Sequence, residues 1–248
     1  MFFSSPCKIN LCLDILKKTP SGYHKIQTVI QELPQMADEI IIEETKDKDF
    51  VSTSEALKKT PIQIPENLAE KALQLFKTRY QISQNFKISI LKKIPISSGL
   101  GGGSSNAATV LKALNIISKK NIPDSELELL AAELGMDVPF FIKGGTQFAE
   151  NFGEKLTPLK SLNVQVELAF ASNKKNSTAA NYKALDLSLC GKDVSKTEAL
   201  LIAIENGEKI TPFLHNDFQQ LYQEKEGFCL SGSGPSSFKI LLCQPEPL

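Results

Sequence analysis

The run Gly99-Leu-Gly-Gly-Gly-Ser-Ser-Asn106 constrains this chain more than any other feature. It lies between two patterned segments. Before it, Phe86, Ile88 and Ile90 alternate with polar residues, a period-two pattern that predicts a strand. After it, Ala107, Val110, Leu111, Leu114 and Ile117 recur at helical spacing. Glycines there let the backbone take positive φ and approach a ligand closely. The following helix offers free N–H groups and a positive dipole end, which suits a phosphate. A purely structural turn is the alternative. The two familiar phosphate signatures do not fit. No Gly-Lys-Ser/Thr closes the run, and Ser104 stands where Gly-x-Gly-x-x-Gly needs its third glycine. Ser104 or Ser105 is the expected N-cap.

The rest of the chain alternates between strand and helix patterns. Strands are expected at Ile9–Ile15, after a Thr19–Gly22 turn, around Ile40–Ile42, and along Val164–Phe170. A last strand follows the late Ser231-Gly-Ser-Gly234 turn. Helices are expected over 67–80, with Leu68, Ala72, Leu75 and Phe76 on one face, and over 125–134. The second of these carries a Ser125-x-x-Glu128 capping box and a stop at Gly135. The stretch from Gly135 to Asn151 reads as a turn and strands. Further helices are expected near 179–185, 196–204 and 217–222. A boundary falls in 155–162, so the reading is a mixed α and β chain in two parts, 1–155 and 156–248. A length of 248 residues suits one large or two compact domains.

Charge and cysteine usage narrow the classes. Lys plus Arg and Asp plus Glu number 28 each, so the basic excess of a general nucleic-acid binder is missing. The five cysteines are scattered and form no CxxC pair, which fits a reducing compartment and gives no zinc signal. The opening MFFSSPCKIN does not read as a signal peptide. No apolar run approaches the roughly 18 residues of a membrane span. The expectation is a cytoplasmic protein with no membrane partner.

Four further places carry candidate chemistry. Lys8 and Asn10, two apart on a strand, point to one face; the lysine is either simply exposed or functional. Asp137 stands between a glycine and an apolar run, as a turn cap or as a base for a hydroxyl nucleophile. Tyr23 and His24 are either ordinary residues or a stacking platform with a polar edge for a nucleobase. His215 reads as structural, with Asn216 or Asp217 capping the helix behind it.

In this order the segments resemble the GHMP kinases. The resemblance rests on Pro6, Lys8, Ile9 and Asn10; Gly22, Tyr23 and His24; Asn67 and Leu68; Pro95 with Gly99 to Asn106; Asp137, Val138 and Pro139; Ser177 and Thr178; and Ser231 to Gly234. It implies an α+β, two-domain fold. Residues 1–155 would form an ATP-binding domain like ribosomal protein S5. Residues 156–248 would form a ferredoxin-like, substrate-side domain. That domain would be shortened, because the chain ends soon after Cys243 where relatives continue with a helix and a strand. Cys7 stands where the family usually has Ala.

The resemblance also implies ATP-dependent phosphorylation of a small alcohol, with Mg²⁺. Asp137 would be the base and Lys8 its charged partner, keeping Asp137 ionised. Asn10 would orient the acceptor. Gly99, Leu100, Gly101, Gly102, Gly103, Ser104, Ser105 and Asn106 would cradle the phosphates, with Ser104 or Ser105 near the metal. Asn67, Leu68, Lys92 and Pro95 would serve the nucleotide. Tyr23 and Tyr182 would be opposing walls of a cytosine slot, His24 would bond the cytosine edge, and Thr178 would touch the acceptor. Gly22-Tyr23-His24 points to the branch whose acceptor carries a cytidine diphosphate group. The 2-hydroxyl of a methylerythritol unit would then be phosphorylated on the non-mevalonate route to isoprenoid precursors. A homoserine-like or mevalonate-like acceptor, or nucleotide binding without catalysis, are the alternatives. The assembly would be a monomer or homodimer.

Overall fold

The computed structural model describes residues 1–20, 22–56, 60–170, 177–223 and 225–245. Ser21, in the expected Thr19–Gly22 turn, and Ala171–Asn176, at the end of the strand expected from Val164, lie outside them. The elements in chain order are β1 (Phe2–Lys18), β2 (His24–Thr45), β3 (Phe50–Glu55), α1 (Leu68–Tyr80), β4 (Asn85–Lys92), α2 (Gly102–Ser118), α3 (Asp124–Ala132) and α4 (Phe140–Lys143). They continue as β5 (Thr146–Asn151), β6 (Lys155–Pro158), β7 (Leu162–Phe170), α5 (Thr178–Ala184), α6 (Val194–Asn206), β8 (His215–Asn216), β9 (Cys229–Leu230) and β10 (Ser236–Pro245), with 3-10 turns at Thr211–Phe213 and Asp217–Leu221.

The chain forms two compact units that are interleaved, not consecutive. One unit comprises Met1–Cys7, Pro34–Ile96 and Gly101–Lys143; the other comprises Lys8–Leu33, Ser97–Leu100 and Gly144–Leu248. The glycine loop therefore passes from one unit to the other between Leu100 and Gly101.

In the first unit, the far half of β2 pairs antiparallel with β4, and β3 lies parallel on β4's other edge. β4 keeps its period of two: Phe86, Ile88, Ile90 and Lys92 are the buried set. A lysine on that face needs a buried partner. Helices α1 and α2 pack together, with Ala72, Leu73 and Phe76 of α1 and Ala107, Val110, Leu111 and Leu114 of α2 buried. Asn67 caps α1, its Oδ1 accepting from the Ala69 N–H at 3.0 Å.

In the second unit, the near half of β2 pairs antiparallel with β5, and β5 pairs with β6. β8 lies parallel to β1, Cys12 opposite His215 and Leu13 opposite Asn216. A separate three-stranded antiparallel sheet runs β7-β10-β9. Leu13, Ile15, Ile26, Leu185, Phe218 and Leu230 form a buried cluster.

Several expectations change. The two strands expected on either side of Pro34 are one, β2, because its halves have different partners, β5 and then β4. β1 is buried without break from Cys7 to Ile15 instead of alternating. It has a neighbour on each edge, β2 and β8. The N-cap of α2 is Gly101, in the left-handed region at φ 72°. Neither Ser104 nor Ser105 caps the helix; both lie in its first turn. The capping box at Ser125 is not made either, since α3 starts at Asp124 behind Pro123 with no side-chain cap. After Asp137 the chain forms the short helix α4, whose Phe140, Phe141 and Ile142 are all buried. β6 occupies part of the stretch where a boundary is expected.

Candidate active site

The candidate residues fall in both units. In the first, Lys92 forms a buried ion pair with Asp38. The carboxylate is fully saturated. Its Oδ1 accepts from the backbone N–H of Lys93 at 2.7 Å and of Ile94 at 2.9 Å, and its Oδ2 accepts from Asn106 Nδ2 at 2.9 Å. Lys92 Nζ also donates to Asn106 Oδ1 at 2.9 Å. Asn106 in turn donates to Ser5 Oγ at 2.9 Å, and Ser5 Oγ stands 2.8 Å from Ser105 Oγ. The network ties β1, β2, β4 and the start of α2 around the loop. A Cβ on Gly102 would stand 3.1 Å from Lys92 Nζ and 3.0 Å from the Ile94 side chain, so this glycine makes room for the network.

The predicted phosphate-loop residues thus divide. Asn106 and Ser105 have side chains committed to the buried network, whereas Ser104 is only partly buried and Gly103 is exposed. Asn67 is engaged as a cap and donates from Nδ2 to Thr53 Oγ1 at 3.3 Å. Leu68 opens α1, and its Cδ1 lies 4.0 Å from where a Cβ on Gly103 would be. Pro95 is exposed beyond β4, and Asp137 is exposed in the turn before α4. Asp38 carries no local signature. The parity of β4, which turns Lys92 inward, is the signal that a buried acid must exist.

In the second unit, Lys8 is only 3% exposed, and its Nζ donates to Asn10 Oδ1 at 2.6 Å. Asn10 Nδ2 donates to Thr28 Oγ1 at 2.8 Å, and that hydroxyl donates to the Cys12 carbonyl at 2.5 Å. The even-numbered face of β1 is therefore a buried polar row. Gly99, at φ 83°, packs on the late turn: a Cβ there would stand 2.7 Å from the Ser231 oxygen and 2.9 Å from the Gly234 oxygen. Leu100 accepts from the Lys8 backbone N–H at 3.0 Å, and Ser98 accepts from the Ser236 N–H at 3.2 Å. Gly99 thus serves close backbone packing, and the loop is held between β1 and the Ser231–Gly234 turn.

The aromatic candidates lie in the same unit. Tyr23 is 62% exposed, and its ring meets Phe152 edge-on at 5.9 Å. Tyr182 stacks on His24, with centroids 5.0 Å apart and planes 17° apart. Burial, then the charge of Lys18, pushes the His24 imidazole below its usual value, favouring the neutral ring. Thr178 opens α5 and shares a 3.2 Å hydroxyl contact with Ser233.

The GHMP kinases N terminal domain is recognised over residues 67–145, which include the glycine loop and Asp137. The chain is 36% identical to the 4-diphosphocytidyl-2-C-methyl-D-erythritol kinase of Caldicellulosiruptor saccharolyticus, over 97% of this chain and 88% of that one. This chain belongs to that kinase family. It is 40% identical to the enzyme of the same name from Caldicellulosiruptor bescii, over 94% of this chain and 86% of that one. A solved 4-(cytidine 5'-diphospho)-2C-methyl-D-erythritol kinase superposes with a TM-score of 0.78 at 30% identity, covering 97% of this chain and 90% of that one. Mevalonate kinase from Methanococcus jannaschii shares the fold at 16% identity and a TM-score of 0.70. The chain is therefore a small-molecule kinase with the α+β GHMP fold. Among the described residues no helix is long and apolar enough to cross a membrane.

Proposed function

We propose that this kinase transfers the γ-phosphoryl group of ATP to the 2-hydroxyl of 4-diphosphocytidyl-2-C-methyl-D-erythritol. The observation that carries the reading is the buried ammonium of Lys8, held by Asn10 beside the interlocked glycine turns, in a chain related to these kinases over nearly its whole length. In this reading the preorganised ammonium stabilises the charge on the phosphoryl group in transit.

In this reading the acceptor's hydroxyl proton passes to Asp137 as its oxygen bonds to phosphorus, and the bond to the β-phosphate oxygen breaks to leave ADP. The work of the protein is positioning and charge stabilisation. Lys8 faces the transferred group and Asn10 orients the acceptor. Backbone N–H groups from Gly99 to Ser105 cradle the donor phosphates. Asn67, Leu68, Lys92 and Pro95 shape the nucleotide side, Lys92 and Asn67 through the contacts that hold its walls. Tyr23, His24, Tyr182 and Thr178 receive the cytidine side of the acceptor. Segment 1–155 handles the nucleotide, and 156–248 completes the acceptor side.

Among the described residues no three acidic, histidine or cysteine side chains converge on a metal position. This suits a hydrated Mg²⁺ carried mainly by the nucleotide phosphates. Ser104 would hold it, since the Ser105 hydroxyl is spent on Ser5. When bound, the ion offsets phosphate charge.

The test is ADP release with Mg-ATP and the cytidyl acceptor, beside homoserine and mevalonate. Turnover only with the cytidyl compound is expected. Turnover with another alcohol instead, or with none, overturns the reading.

A further inference from the structure

The Ser231–Gly234 turn sits against the Lys8 ammonium. A Cβ on Gly232 would stand 3.2 Å from Lys8 Nζ and 2.8 Å from the Gly99 carbonyl oxygen. The two glycine turns therefore interlock backbone on backbone, and any shift of the late turn is passed to Gly99 and to Lys8.

Asn216 fixes that turn. Its Nδ2 donates to the carbonyls of Leu230 and Gly232, both at 2.9 Å, and its Oδ1 accepts from the Phe218 N–H at 2.9 Å. The side chain is buried and spends both ends on backbone. On the other side of the turn, Asn181 Nδ2 and Tyr222 Oη donate to the Ser233 carbonyl at 2.7 and 2.9 Å. Two carbonyls of the turn, Gly232 and Ser233, and that of Leu230 just before it are thus gripped by side chains.

We propose that Asn216 is a positioning residue for phosphoryl transfer: through Leu230 and Gly232 it sets where the Lys8 ammonium and the Gly99 backbone stand. It touches no reacting atom. The inference rests on the function proposed above. Lys8 acts most strongly on charge that develops in the transition state, so misplacing it lowers kcat more than it raises KM. A displacement of about 1 Å costs on the order of 100-fold.

Asn216→Asp separates positioning from folding. The carboxylate still accepts from Phe218 and keeps the cap, but it cannot donate to Leu230 or Gly232. The full-length variant is expected to lose about 100-fold in kcat, with KM for both substrates within about threefold. Its Gly99 and Gly232 amide resonances should shift while those of α1 stay in place. Wild-type kcat in this variant, or unmoved Gly99 and Gly232 resonances, overturns the proposal. If Asn216→Asp does not fold, Asn181→Ala loosens the same turn from the Ser233 side and is judged by the same two readouts. Failure of the unmodified protein to turn over the acceptor sinks the functional reading instead, and the resonances still decide whether Asn216 sets the turn.

Discussion

The imidazole of His24 lies flat on the ring of Tyr182, with centroids 5.0 Å apart and planes 17° apart. Tyr182 in turn meets Phe218 edge-on at 4.9 Å, so its ring is fixed from the unit's buried cluster. Two rings at that separation leave no gap for a third. Tyr182 is therefore the support of the His24 ring.

This arrangement makes the two residues one energetic unit. Tyr182→Ala and His24→Ala should each raise the acceptor KM on the order of 10-fold, as expected for the loss of about 1–3 kcal/mol of stacking. KM for ATP should stay within about twofold. The double variant should be no worse than about the poorer single one, because contacting residues are not additive. Steady-state kinetics on the four proteins checks this; additive losses would show that the rings act separately.

Lys8 and Asp137 carry the proposed chemistry. Lys8→Met should lower kcat by about 10²–10³, the cost of losing one preorganised charge-stabilising group. Asp137→Asn should lower it by about 10²–10⁴. Both should bind ATP within about threefold of the unmodified protein, by calorimetry. Loss of ATP binding in Asp137→Asn would mark that residue as structural.

Asp38 and Lys92 are buried at 0% and 5% exposure. Asp38→Asn leaves the ammonium without its counter-charge, and breaking a buried pair from one side costs about 3–5 kcal/mol. Denaturant unfolding should show this loss, and adding Lys92→Met should recover part of it. A single variant as stable as the unmodified protein would refute the pairing.

His215 and Asp14 set a pH dependence of stability. His215 Nε2 stands 2.9 Å from Asp14 Oδ1, and its Nδ1 stands 2.9 Å from the Phe213 carbonyl, so both ring nitrogens face acceptors. Burial opposes the charged ring, but Asp14 and the Phe213 carbonyl outweigh it, and the imidazole is raised above its ordinary value. Burial also opposes the Asp14 carboxylate, but His215, Thr197 and Gln27 outweigh it, and Asp14 is lowered. A raised histidine contributes stability that is complete below its unfolded value of about 6.5 and is lost as pH rises through its folded value. A lowered aspartate contributes stability that is present above about 3.9 and is lost as pH falls through its folded value. The pair is therefore strongest between about pH 4 and 6.5. Urea midpoints should fall as pH rises above about 6.5, and His215→Gln should flatten that limb. An equal slope in the variant would refute the assignment.

Much of the fold is legible along the chain. The alternation of β4, the apolar stripe of α2 and the placement of α6 follow from local periodicity, which backbone geometry imposes on any amphipathic element. The pairing of Lys8 with Asn10 was legible for the same reason: residues two apart on a strand share a face. Caps were less legible. Asn67 does cap α1. Ser104, Ser105 and Ser125 look suited and do not cap: Gly101 takes the left-handed cap position of α2, Ser105 is committed to Ser5, and α3 starts one residue before Ser125, behind Pro123.

Local sequence determined that this chain holds a glycine loop between a strand and a helix, and its motif order sufficed to place it among the GHMP kinases. Only the tertiary structure decided what each glycine is for. Gly99 meets the late turn, Gly101 takes the left-handed cap, and Gly102 clears Lys92. The same holds for Asp38, Asn181 and Asn216, whose roles come from partners far along the chain. A polar group's role depends on what burial leaves it to bond with, and that is set by contacts which no local pattern encodes.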